Sequence, residues 1–153
     1  MDADGHAPDV GRASPAANEH YHVELKLSDP RSQTRIAYAK VSFATTNTDA
    51  GRTMNQPLPP MWGDSGLHYS ANSAILGDGR HAATVTVDVP TFQRELKDKN
   101  LWSKAAGVRF HFKLKDGKVT EVSMARPWAP VDGLAPSSAA STAVRGLGSL
   151  PEP

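Results

Sequence analysis

Met61 and His68 stand seven residues apart in the stretch MWGDSGLHYSAN, and His20, His22 and Glu24 stand two apart in HYHVELKL. A thioether, imidazoles and a carboxylate in a chain without cysteine suggest a site for copper or iron. Imidazole binds both metals, the thioether is a soft donor that favours copper, and the carboxylate is a hard one. Spacing two along a strand puts His20, His22 and Glu24 on one face, where a rigid backbone holds donors in place. The same spacing also describes the solvated face of an edge strand. A loop methionine is commonly packing material, and a lone strand histidine is commonly structural. The residues alone therefore leave both readings open.

The other histidines point elsewhere. His81 follows a turn and shares a face with valines, which reads as half-buried and structural. His111 alternates with Phe110 and Phe112 and is expected to face solvent or the sheet edge. His6 lies in a polar leader. Asp64, Ser65 and His68 are close in sequence, but a triad is assembled by the fold, and nothing in the chain supports one. No phosphate-binding glycine loop, GxSxG elbow or HExxH helix occurs, so the expectation is a non-enzymatic protein. The 153 residues carry a formal net charge of +1, which gives no electrostatic case for nucleic acid. No stretch approaches the roughly 20 apolar residues of a membrane span, so no membrane insertion is expected. Zero cysteines excludes disulfides, thiolate zinc sites and cysteine nucleophiles. The first 20 residues lack the basic start and apolar centre of a secretory signal, leaving a cytoplasmic protein or a processed mature chain both open.

The elements that must position these residues are strands. Residues 1–19 read as a disordered leader and 127–153 as a disordered low-complexity tail, with the domain at 20–126. Within it, alternation predicts strands at 20–27, 34–45, 52–56, 67–76, 81–89, 108–114 and 118–125. Asp29-Pro30, NTDAG, the proline-rich QPLPPMWGDSG, LGDGR and Asp116-Gly117 separate them. Strand 81–89 buries His81, Ala83, Val85, Val87 and Val89, or else the opposite set. Residues 91–106 read as a short helix or ordered loop in which Glu95 pairs with Lys99. About seven short strands imply an all-β fold, an immunoglobulin-like antiparallel β-sandwich.

Four motifs in fixed order carry a resemblance: His22-Val23-Glu24, Thr46-Asn47-Thr48-Asp49-Ala50-Gly51, Met61 followed by His68-Tyr69-Ser70-Ala71-Asn72, and Gly77-Asp78-Gly79. Over residues 20–115 the chain resembles the bacterial periplasmic Fe(II)-transport family, small copper- and iron-binding immunoglobulin-like proteins that work with inner-membrane iron permeases. The resemblance implies a periplasmic homodimer with a copper site near the dimer interface and an iron position close by. By matching position, the copper ligands are Met61, His68, His22 and Glu24. The sequence departs from the family at three points. Ser70 stands where glycine is usual. Arg94 is followed by Glu95 rather than the family's later histidine, in a shorter loop, so Glu95 is a candidate oxygen donor that would shift preference towards iron or manganese. His20 is an extra imidazole that would compensate.

The resulting expectation is a periplasmic protein of iron uptake. It binds copper and/or iron through His22, Glu24, Met61 and His68, with Glu95 and His20 as further candidates, and hands metal to a membrane permease. The main rival is an immunoglobulin-like protein-interaction module with a degenerate site. A second rival is a copper oxidase or ferric reductase, although no residue demands substrate turnover.

Overall fold

The computed structural model describes residues 20–124, together with the backbone of 143–144 and 148–149. The leader 1–19 and the remainder of the tail, read from sequence as disordered, lie outside the described residues. Eight strands span the described domain: β1 (Tyr21–Lys26), β2 (Val41–Asn47), β3 (Arg52–Leu58), β4 (Pro60–Gly63), β5 (Gly66–Ser73), β6 (Gly79–Val87), β7 (Ala106–Lys115) and β8 (Lys118–Met124). They form two antiparallel sheets, one ordered β3-β2-β6-β7-β8 and a smaller one ordered β1-β5-β4. The dipeptides Ala143–Val144 and Gly148–Ser149 pair along the other edge of β1. The architecture is the all-β sandwich expected from the alternation.

Alternation explains the core. Strand β1 buries Tyr21, Val23 and Leu25 and turns His22, Glu24 and Lys26 the other way. Strand β7 buries Val108, Phe110, Phe112 and Leu114, leaving Arg109 and His111 exposed. These inward faces meet Val41, Phe43, Leu58, Tyr69 and Val85 in one cluster, and each fully buried large side chain contributes about 1.5–3 kcal/mol. Of the two sets open for β6, the one with His81, Ala83 and Val85 is buried. His81 is fully buried, stacked on Phe112 at 4.8 Å and hydrogen-bonded through Nε2 to the Gly77 carbonyl at 2.9 Å. Val89 lies beyond the strand and is exposed.

The NTDAG turn has a mechanical role. Asn47 is buried; its Oδ1 accepts from the amides of Asp49 and Ala50, and its Nδ2 donates to the carbonyls of Leu76 and Asp78. Asp49 accepts from the Arg80 guanidinium at 2.8 Å, which holds its carboxyl below the usual range. At Gly79 a side chain would be strained by the φ of +125°, and its Cβ would lie 2.9 Å from Asp49 Oδ2, forcing that carboxylate to shift. The turn is thereby knotted to the segment that carries the chain from β5 in one sheet to β6 in the other.

Three sequence expectations change. Residues 34–40 do not extend β2: Tyr38 has φ +56°, and the segment is anchored by Tyr69, whose hydroxyl donates to the Ile36 carbonyl and accepts from the Ala39 amide. A side chain supplies the partners that a ladder would have supplied. The proline-rich stretch contains strands rather than a loop. Pro57 lies on edge strand β3 and Pro60 opens edge strand β4, positions where a missing N–H is tolerated. Residues 91–105 form a loop with a 3-10 turn at Leu96–Asp98, and Ala106 opens β7. Glu95 therefore pairs with Lys97 at 3.0 Å and not with Lys99, because no α-helical turn brings the latter round.

Candidate metal centre

The hairpin β4–β5 and strand β1 build the site. Met61 pairs directly with His68 across the hairpin, which turns at Asp64-Ser65. On the other side of β5, His22 lies opposite Asn72 and Glu24 opposite Ser70. Paired residues of an antiparallel ladder project from the same face. The register therefore gathers His22, Glu24, Met61 and His68 on the outer face of the smaller sheet, away from the core. Ligand atoms of His22, Glu24 and His68 all lie within 4.8 Å of one another.

The surroundings aim these donors. His68 is buried, and its Nδ1 donates to the Gly66 carbonyl at 2.8 Å. A carbonyl only accepts, so this bond fixes the proton on Nδ1 and leaves the Nε2 lone pair for a metal. His22 repeats the arrangement through Nδ1 and the Asn72 Oδ1 at 3.0 Å. Gly63 leaves room for the ring: a Cβ there would lie 3.1 Å from His68 Cε1. The thioether is positioned by Ser70, fully buried, whose hydroxyl donates to Met61 Sδ at 3.4 Å. Glu24 Oε1 accepts from Ser65 Oγ at 3.3 Å and lies 3.3 Å from Lys26 Nζ. Beneath the site, Tyr69 fills the core, and burial raises its phenol above the usual range, against the lowering effect of the Ala39 amide bond.

These residues fit a metal ion. Two imidazoles with oriented tautomers, one thioether and one carboxylate form a mixed soft and borderline set that suits copper, and the carboxylate admits iron. The other two candidates are not part of that group. His20 is exposed, one residue before β1, and Glu95 is exposed on the loop after β6, paired with Lys97. Neither belongs to the group gathered among the described residues. Sequence reading missed Asn72, Ser65, the Gly66 carbonyl and Lys26. Lys26 shares the two-residue spacing of the ligands and was legible on that ground. The partners of His22 and His68 required the register.

No family model matches the sequence, and no curated protein matches it. Solved structures do share the fold. FetP of uropathogenic E. coli, recombinantly expressed in the periplasm of E. coli, aligns at a TM-score of 0.59 and 24% identity, covering 71% of this chain and 80% of that one. A copper-bound variant of Campylobacter jejuni P19 aligns at 0.60 and 23%, covering 74% and 81%. Copper-reconstituted P19 aligns at 0.59 and 23%, covering 71% and 80%. Among the described residues no helix is long and apolar enough to cross a membrane.

Proposed function

We propose that this chain is a copper-binding protein of iron uptake, holding copper and/or Fe(II) on His22, Glu24, Met61 and His68. The observation that carries the reading is the convergence of two oriented imidazoles and a carboxylate on one sheet face, with a thioether paired to one of them across the β4–β5 hairpin. The copper in the structures that share this fold supports it. The recombinant expression of FetP in the periplasm is in keeping with a periplasmic location. When bound, copper would supply a one-electron couple, with Met61 favouring Cu(I) and the carboxylate and imidazoles accommodating Cu(II).

In this reading the protein carries metal and turns over no substrate. The donors act as ligands on a rigid face. It works as a homodimer and passes metal to an inner-membrane permease. Trp62, 79% exposed on edge strand β4 and facing away from Met61, offers either partner a large apolar contact at the edge of the sheet that carries the site. The test is metal analysis of untagged protein followed by titration with Cu(I), Cu(II) and Fe(II). One ion per chain with copper tighter than Fe(II) is expected. Sub-stoichiometric, non-saturating uptake of all three would favour the protein-interaction module instead.

A further inference from the structure

The metal reading leaves one charged side chain without a role. Lys26 follows Glu24 by two on β1 and so projects from the same face. Its ammonium lies 3.3 Å from Glu24 Oε1, and the two side chains are only 20% and 21% exposed. Solvent-exposed Lys–Glu pairs are screened and contribute little. This pair is largely shielded, and its carboxylate is the only acid in the cluster. The second group on Oε1, the Ser65 hydroxyl, is neutral, and the carbonyl of Ser65 accepts from Arg35 Nη2 at 3.5 Å. A second cation therefore backs the turn that reaches Glu24. The negative charge of the donor set is already answered by the protein before any ion arrives.

We propose that Lys26 is the residue that sets the charge preference of this site, holding it to monovalent copper and against divalent ions. The inference rests on the metal reading and narrows it. Two neutral imidazoles, a thioether, one carboxylate and one ammonium sum to zero charge. An ion bound at Glu24 meets the ammonium at short range in a partly dry setting, where repulsion is weakly screened and grows with the charge of the ion. Soft donation by Met61 acts in the same direction. Removing the ammonium should therefore change the logarithm of a dication's affinity about twice as much as that of Cu(I).

The experiment titrates Cu(I), under anaerobic conditions with a competing chelator, and Mn(II) into untagged wild type, Lys26→Gln, Lys26→Met and Lys26→Arg. For Lys26→Gln and Lys26→Met, Mn(II) binding should tighten on the order of 100-fold and Cu(I) about tenfold, moving the ratio about tenfold towards the dication. Lys26→Arg, which keeps the charge, should keep the wild-type ratio. Circular dichroism and melting confirm that each variant is folded, and the two neutral variants guard against a packing effect of either side chain. An unchanged ratio in both neutral variants, or an equal shift in Lys26→Arg, overturns the role of Lys26 while the metal site stands. Absence of binding by all four proteins overturns the site itself, and the selector with it.

Discussion

The two sheets share one core but treat their outer faces differently. On the larger sheet the outward residues are what a solvated face requires: Arg109 and His111 are exposed, and the charged pair Lys113–Glu121 lies across β7 and β8. On the smaller sheet the outward face holds His68 at 5% exposure and Ser70 at 0%. Polar groups buried on the side away from the core need partners from the protein, and here the Gly66 carbonyl and the Met61 sulfur supply them. The contrast teaches that a histidine's strand position says little by itself. His111 and His68 both alternate with apolar neighbours, and only the second has a fixed tautomer, a sulfur opposite and a second imidazole within reach.

The comparison breaks most sharply at those two histidines. His68→Ala should lower Cu(II) affinity by more than about 100-fold, the upper range for losing a mere supporting partner of a ligand, whereas His111→Ala should leave it unchanged. Competition titration of both variants checks this, and equal effects would sink the assignment. Next in size is Tyr69→Phe, which keeps the ring in the core but strands the Ala39 amide. It should cost about 1–3 kcal/mol by denaturant unfolding, the usual penalty for an orphaned buried donor, with metal affinity little altered, because the phenol lies on the opposite face from the ligands.

Met61→Leu sharpens the comparison within the site. Leucine nearly conserves volume, so the melting temperature should hold while Cu(I) affinity falls about tenfold and Cu(II) affinity less. An equal fall for both oxidation states would show that Met61 packs rather than ligates. The smallest effect concerns Asp29, in the turn that leaves the smaller sheet for the larger. The Ser32 amide, then the Arg31 amide and the Ser32 hydroxyl, hold its carboxyl below the usual range against a partial raising by burial. A carboxyl lowered on folding stabilises above its unfolded value near pH 4, and that contribution is lost as pH falls through the lower folded value. Asp29→Asn keeps the acceptor, so it should cost only about 0.5 kcal/mol at neutral pH. Its stability should fall less steeply than wild type below about pH 4, as read by unfolding at several pH values.

Much of this molecule was legible in its sequence. Alternation located β1, β6 and β7, with the buried face of β6 open between two sets, and the resemblance carried by the ordered motifs singled out Met61, His68, His22 and Glu24, which the register gathers on one face. What escaped depended on pairing across space. The alternating segment 34–40 reads as strand, yet the partners of its Ala39 amide and Ile36 carbonyl come from the Tyr69 side chain, far along the chain, which no local pattern reveals. The prolines around Met61 argued for a loop, and only the sheet order shows that they lie on edge strands where their missing donors do no harm. Glu95 was placed by analogy of a loop, and loops are where length and path vary most. Lys26 was visible but silent, because its meaning comes from sharing an oxygen's surroundings with a ligand rather than from its own spacing.

The bond between the Ala39 amide and the Tyr69 hydroxyl has a consequence for observing this protein in solution. That hydrogen belongs to a loop residue, yet it is released to solvent only when a core side chain leaves its place, so its exchange with deuterium should be as slow as that of the central strands. Tyr69 neighbours His68 in the chain and faces the other way. An ion that binds the folded state alone, at a free concentration 100 times its dissociation constant, should slow exchange at Ala39 by about 100-fold. Occupancy of the outer face would then be readable at a single amide on the inner side of the sheet, with no probe attached to any ligand.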